Sequence, residues 1–107
     1  MILFAGVPVA DIADAREWYE RLFGRPPDMT PHERELVWRV GEQGWVYAVE
    51  DRERAGRGLL TLMVDDLDGQ VALLRERGLS PEFLPIGVRK AEVMDPDGNR
   101  VGFGEVP

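Results

Sequence analysis

The sequence predicts an α+β fold built from two tandem βαβββ modules, and three observations lead there. Strand-like and helix-like stretches run in the same order through each half of the chain. An offset of 55 residues carries Val9 onto Val64, Asp11 onto Asp66, Ile12 onto Leu67, Trp38 onto Val93, Val46 onto Val101 and Glu50 onto Glu105. Each half also sets an aspartate before its helix and a glycine after it, the chemistry of an N-cap and of a left-handed stop. A period near half of 107 residues means two copies of one supersecondary unit. The modules are expected at about 1–54 and 56–107, together one domain, because a chain of this length supports a single core.

Residues 2–9 are apolar and read as the first strand, ending before Asp11. Helical spacing then puts Ile12, Ala15, Trp18, Tyr19, Leu22 and Phe23 on one side and Asp14, Arg16, Glu17, Glu20 and Arg21 on the other, so Trp18 is expected in the core. Gly24 stops this helix and Pro26-Pro27 prevents its resumption. Residues 28–35 are polar and weakly patterned and read as a short edge strand. Residues 36–40 and 45–50 read as strands joined by Gly41-Glu42-Gln43-Gly44, and the charged stretch 51–58 as a connector.

In the second half, 59–64 reads as a strand, and Asp66 caps a helix carrying Leu67, Val71, Leu73 and Leu74. Gly78 terminates that helix, with Pro81 in the break. Residues 82–86 and 89–94 read as strands, and 100–106 closes the second sheet. Asp95-Pro96-Asp97-Gly98 carries type I turn chemistry, which is expected to account for the whole run through Asn99. The same run superficially suggests a calcium loop, but Arg100 stands where glycine is needed and Val106 where glutamate is needed. Asp65, Asp66 and Asp68 read as a capping cluster at a helix N-terminus.

Composition removes several classes of function. Thirteen Lys and Arg against 20 Asp and Glu give a net charge of −7 and no basic stripe, so no nucleic-acid partner is expected. The absence of cysteine excludes disulfides, thiolate metal sites, iron–sulfur clusters and a cysteine nucleophile. His32 is the single histidine and excludes a one-chain site needing two imidazoles. It is expected in an exposed polar loop, with a lid contact or acid–base role as the functional alternative. The N-terminal stretch has no basic lead and no long apolar core of a secretory signal, and no apolar run approaches the roughly 20 residues a bilayer requires. A soluble, cytoplasmic protein without a membrane partner is expected.

The segments VPVADIADAREWYERLFG, VDDLDGQVALLRERG and MDPDGNRVGFGEV, together with the repeat, resemble the vicinal oxygen chelate superfamily of glyoxalases, extradiol dioxygenases and bleomycin-resistance proteins. The resemblance is closest to the bleomycin-resistance branch. It implies curved mixed sheets around a cleft, with the helices on the outer face. Metal enzymes of the superfamily place ligands early on each module's first strand and in each module's last strand. By resemblance those positions are Phe4, Leu59, Tyr47 and Gly102. Phenylalanine and leucine offer no lone pairs, glycine has no side chain, and a phenol is a poor ligand for a divalent metal. Neither a metal nor a cofactor is therefore expected.

Strand alternation separates two faces. Val7, Val9, Val46, Ala48, Leu60, Leu62, Val64, Val101 and Phe103 are expected toward the helices. Phe4, Gly6, Pro8, Trp45, Tyr47, Val49, Leu59, Thr61, Met63, Arg100, Gly102 and Gly104 fall on the other face, whose aromatics, glycines and few polar groups suit an apolar ligand pocket. The offset sets Trp38 toward the helices and Arg39 toward the cavity. Candidate ligand-binding residues are thus Phe4, Arg39, Trp45, Tyr47, Leu59, Thr61, Met63, Arg100 and Gly102. Arg39 and Arg100 either hold a ligand carboxylate or phosphate or pair with the chain's many acids. Trp45 and Tyr47 alternatively pack against a second subunit.

The expected function is metal-independent binding of a small aromatic or cationic molecule, of the sequestration or resistance type, in a cleft of a homodimer. The acidic balance favours a cation at long range. The alternative is a glyoxalase- or dioxygenase-like lyase, isomerase or oxidoreductase whose proton transfer falls to Tyr47, His32 or a carboxylate. A third reading is a domain whose ligand site has become a dimer interface. The resemblance also implies exchange of the N-terminal strand between subunits near Pro8, a residue suited to an edge or crossing.

Overall fold

Each half of the chain folds into its own four-stranded mixed sheet with one helix laid against it, in a computed structural model that describes residues 1–85 and 87–107. The order is β1 (Leu3–Val9), α1 (Ile12–Phe23), β2 (Met29–His32), β3 (Glu35–Gly41), β4 (Gly44–Glu50), β5 (Leu59–Val64), α2 (Leu67–Glu76), β6 (Glu82–Phe83), β7 (Lys90–Met94) and β8 (Arg100–Glu105). The first sheet runs β1-β4-β3-β2 and the second β5-β8-β7-β6. β1 pairs in parallel with β4 and β5 with β8, while the remaining pairs are antiparallel. The two βαβββ modules are therefore the same construction twice, with β1 and β5 as the corresponding edge strands.

The caps behave as their chemistry dictates. Asp11 accepts from the amide of Asp14 and Asp66 from the amide of Gly69, each at 3.0 Å. Gly24 ends α1 at φ 74°, a conformation that disfavours a side chain. Helix α2 ends at Arg77, and Gly78 follows it at φ 85°. A second pair of bonds reproduces the 55-residue offset in space. Glu50 Oε1 accepts from the amide of Ile12 at 3.2 Å, and Glu105 Oε1 accepts from that of Leu67 at 3.1 Å. These carboxylates satisfy helix-start amides that would otherwise lack partners.

Two local expectations change. The strand expected over 82–86 is limited to Glu82–Phe83; the amide of Leu84 still donates to Lys90 O at 2.9 Å, but Pro85 has no N–H to continue the ladder. Ile86 lies outside the described residues. His32 belongs to the edge strand β2 rather than to a loop, and its Nε2 lies 3.2 Å from Glu35 Oε1.

Between sheets and helices the core gathers the alternate residues expected there. Val7, Val9, Val46, Ala48, Val101 and Phe103 are buried, and Leu60, Leu62 and Val64 pack against them partly buried. Trp38 is fully buried, stacks on Phe23 at 5.1 Å and donates from Nε1 to Arg25 O at 3.0 Å. Trp18 sits at the rim of this core, partly buried and edge-on to Tyr19 at 4.7 Å.

The DPDGN run does more than turn the chain. Gly98 N donates to Asp95 O at 3.0 Å, closing the turn, but Asp95 and Asn99 are buried. Asn99 Nδ2 reaches Pro8 O in the other module and Asp95 Oδ2, both at 2.7 Å, while its Oδ1 accepts from Gly58 N at 2.6 Å. Tyr19 donates its hydroxyl to the same Asp95 Oδ2 at 2.7 Å. Every buried polar side-chain atom among the described residues has a partner. Among those residues, no helix is long and apolar enough to cross a membrane.

Candidate functional site

With the helices covering one face of each sheet, the other face is left open. On the first sheet, register sets Phe4 beside Trp45 and Arg39 beside Trp45 from the opposite strand, so the three form a row across β1, β4 and β3. Phe4 stacks on Trp45 at 5.7 Å with the rings 13° from parallel, and Arg39 Cζ lies 5.7 Å from the centroid of the Trp45 ring. Because Phe4 and Arg39 approach from the two flanking strands, both faces of the indole are occupied. The outward face of Phe4, a residue 48% exposed, is the open end of the row.

Tyr47 completes this half. Its ring lies across β1 over Gly6, where a Cβ would stand only 2.5 Å from Cζ. Glycine is therefore the residue that lets the phenol lie flat on the sheet. The Phe4 and Tyr47 rings are 6.5 Å apart at 48°, making a standing plate beside a floor. Val37, in register with Tyr47 and buried, continues that floor.

Arg39 is held in place rather than free to chase an anion. Its Nε donates to Gly41 O at 3.0 Å and its Nη2 to Glu42 O at 2.8 Å, tying it to the β3–β4 hairpin. Its backbone amide donates to Asp28 Oδ2 at 2.7 Å. That bond, followed by the one from Arg25, holds the Asp28 carboxyl below the usual carboxylate range.

On the second sheet, Leu59 pairs with Arg100, Thr61 with Gly102 and Met63 with Gly104. Arg100 Nη1 lies 2.7 Å from Glu92 Oε1, so this guanidinium is paired within the chain. Gly102 and Gly104 are buried because side chains lie over them, Lys90 on the first and Met63 on the second. A hollow of about 180 Å³ between Glu82, Glu92, Leu84, Met94 and Arg100 flanks this face. A hollow of about 470 Å³ lies away from both faces, between α1 and Arg77, and is walled by Glu17, Glu20 and Arg21. It has no aromatic wall; there Arg77 Nη1 donates to Leu22 O at 3.0 Å at the C-terminal end of α1.

The expected site residues thus gather as two groups. Phe4, Arg39, Trp45 and Tyr47 share the first sheet's open face, and Leu59, Thr61, Met63, Arg100 and Gly102 share the second's. Neither group fits a divalent metal. Phe4, Leu59 and Gly102 supply no donor side chain, and among the described residues no three of His, Cys, Asp and Glu cluster to hold one. Sequence reading passed over Lys90. Its signals were available: it is the only lysine in the chain, and it alternates with the apolar Ala91 and Val93, which face the core.

No family model and no curated protein sequence matches the chain. Solved structures do. The chain is 44% identical to a glyoxalase/bleomycin resistance protein from Catenulispora acidiphila, over 100% of this chain and 99% of that one, with a TM-score of 0.90. It is 29% identical to an antibiotic binding protein from a Streptomyces species, over 100% of this chain and 96% of that one, with a TM-score of 0.74. A bleomycin-binding protein from Streptomyces verticillus, solved with copper(II)-bleomycin, shares 17% identity over 100% and 97% of the two chains at a TM-score of 0.80. At that identity the likeness is one of fold.

Proposed function

Since the chain belongs to the glyoxalase/bleomycin-resistance protein family, we propose that it binds a small aromatic molecule on the open faces of its two sheets, as a homodimer and without a metal. The observation that carries this reading is the Phe4 plate. A half-exposed ring, backed by Trp45 and Arg39 and flanked by the flat Tyr47, is ready to stack a planar partner. Such a contact contributes about 0.5–1.5 kcal/mol beyond the apolar area it buries. The antibiotic binding relative supports a small-molecule ligand.

Dimerisation follows from what the open faces leave in water. Leu59 is 70% exposed and Met63 56%, on the same face of one strand and separated by Thr61. A second copy of the chain set over these faces removes that apolar surface and closes a cleft around the ligand. β1 pairs with β4 of its own chain; exchange of β1 between copies, hinged after Pro8, would preserve the same register. Metal independence rests on the donor chemistry at Phe4, Leu59, Tyr47 and Gly102.

Light scattering on the eluting protein, followed by calorimetric titration with a panel of planar aromatic antibiotics, tests the proposal. The expected result is a dimer that binds at least one compound with fixed stoichiometry and returns it unchanged. A monomer that binds none of them, or one that chemically converts the bound compound, overturns it.

A further inference from the structure

We infer that Lys90, with Thr61 beside it, is an anchor for an anionic oxygen (a carboxylate, sulfonate or phenolate) on the ligand; this rests on the binding reading above. Lys90 is the only lysine in a chain that otherwise carries its positive charge on 12 arginines. It stands on β7 in register with Gly104, on the open face, and its side chain runs back across β8 over Gly102. A Cβ at Gly102 would meet the Lys90 side chain, with Nζ at 3.1 Å and Thr61 Oγ1 at 3.2 Å. The glycine therefore opens a floor on which an ammonium and a hydroxyl converge. Lys90 is partly buried there instead of extended into solvent.

The surrounding charges leave this ammonium available. Two carboxylates face the same surface, Glu92 on β7 and Glu82 opposite it on β6. Glu92 is taken by Arg100 at 2.7 Å, and among the described residues no carboxylate lies within ion-pairing distance of Lys90. An ammonium has three donors and no acceptor, so a partly desolvated one without a carboxylate calls for oxygen from elsewhere. Thr61 supplies a further donor to the same point. Lysine offers a compact point charge here, which a planar guanidinium fork reproduces only in part. The net charge of −7 opposes an anion only weakly, because salt screens charges more than about 8 Å away. At contact distance the local cation decides.

The test uses two matched probes, naphthoate and its neutral amide, titrated calorimetrically into wild type, Lys90→Met and Lys90→Arg. Wild type is expected to prefer naphthoate. Lys90→Met loses about tenfold in naphthoate affinity and leaves naphthamide binding unchanged, with partial recovery in Lys90→Arg. Reductive methylation with labelled formaldehyde gives a second readout, since Lys90 is the only side-chain amine. Its dimethylammonium signal should shift with naphthoate and stay still with naphthamide. Equal loss of both probes in Lys90→Met, or no preference in wild type, overturns the anchor while leaving the binding reading intact. Failure of wild type to bind either probe overturns the anchor for this ligand class, while the antibiotic panel decides the binding reading separately.

Discussion

The hydroxyl of Tyr19, on the helix of the first module, donates to the carboxylate of Asp95 in the second at 2.7 Å, across 76 residues of chain. The same carboxylate accepts from Asn99, whose side chain returns to Pro8 O in the first sheet's edge strand. The relative placement of the two open faces is thereby set by a buried polar network as well as by apolar packing. Such a network is stabilising only while every member is satisfied.

Asn99→Ala should therefore destabilise the protein by about 3 kcal/mol, because it orphans Pro8 O, Gly58 N and part of Asp95 at once. Urea unfolding monitored by circular dichroism measures this. A loss below about 0.5 kcal/mol, the scale of an ordinary surface change, would mean that the network is not holding the modules.

Burial, and then the neighbouring Asp95, push the Tyr19 phenol well above its ordinary value. A raised pKa in the native state means that the unfolded chain releases this proton first. The stabilisation is complete below about pH 10 and declines as pH rises past it. In Tyr47→Phe, which leaves Tyr19 as the sole tyrosine, phenolate absorbance should appear only together with loss of the folded signal. Phenolate forming near pH 10 in a protein that is still folded would contradict this.

Phe4 and Trp45 should separate in their effects on a planar ligand. Phe4→Ala removes the open plate at a half-exposed position, so stability changes by less than about 1 kcal/mol while affinity for the ligand falls about tenfold. Trp45→Phe keeps a ring for Phe4 to stack on and should cost much less affinity. Calorimetry on the two variants decides it, and a larger loss in Trp45→Phe would move the stacking surface to the indole.

Gly6→Ala places a methyl group 2.5 Å from Tyr47 Cζ. The ring must lift off the sheet, at a cost of about 1–2 kcal/mol in stability, and the floor beside Phe4 is lost. Near-ultraviolet circular dichroism should report the changed Tyr47 environment, together with weakened ligand binding. An unchanged spectrum and unchanged affinity would show that the ring does not depend on that glycine.

The modules, their caps and their two faces were legible in the sequence for local reasons. Asp11 and Asp66 act within three residues of themselves, and Val7, Val9, Val101 and Phe103 follow strand alternation. The offset pairs Glu50 with Glu105 and Ile12 with Leu67, and the structure adds what the offset alone does not state, an equivalent carboxylate-to-amide bond in each module. The long-range partners were not legible. A DPDGN turn has the same local chemistry whether or not Asn99 reaches Pro8, so nothing in the run signals the contact between modules. Long side chains hid their partners in the same way: Arg100 chose Glu92, Arg39 chose the hairpin carbonyls, and Lys90 crossed a strand to lie over Gly102.

A crystal structure of the protein grown with a planar aromatic antibiotic that it binds in solution bears most directly on the whole account. The ligand should stack on Phe4 of one protomer and be enclosed by the second sheet of its partner, with no metal ion between them. A compound seated instead in the charged hollow beside Arg77, or gripped through a divalent ion, would contradict it.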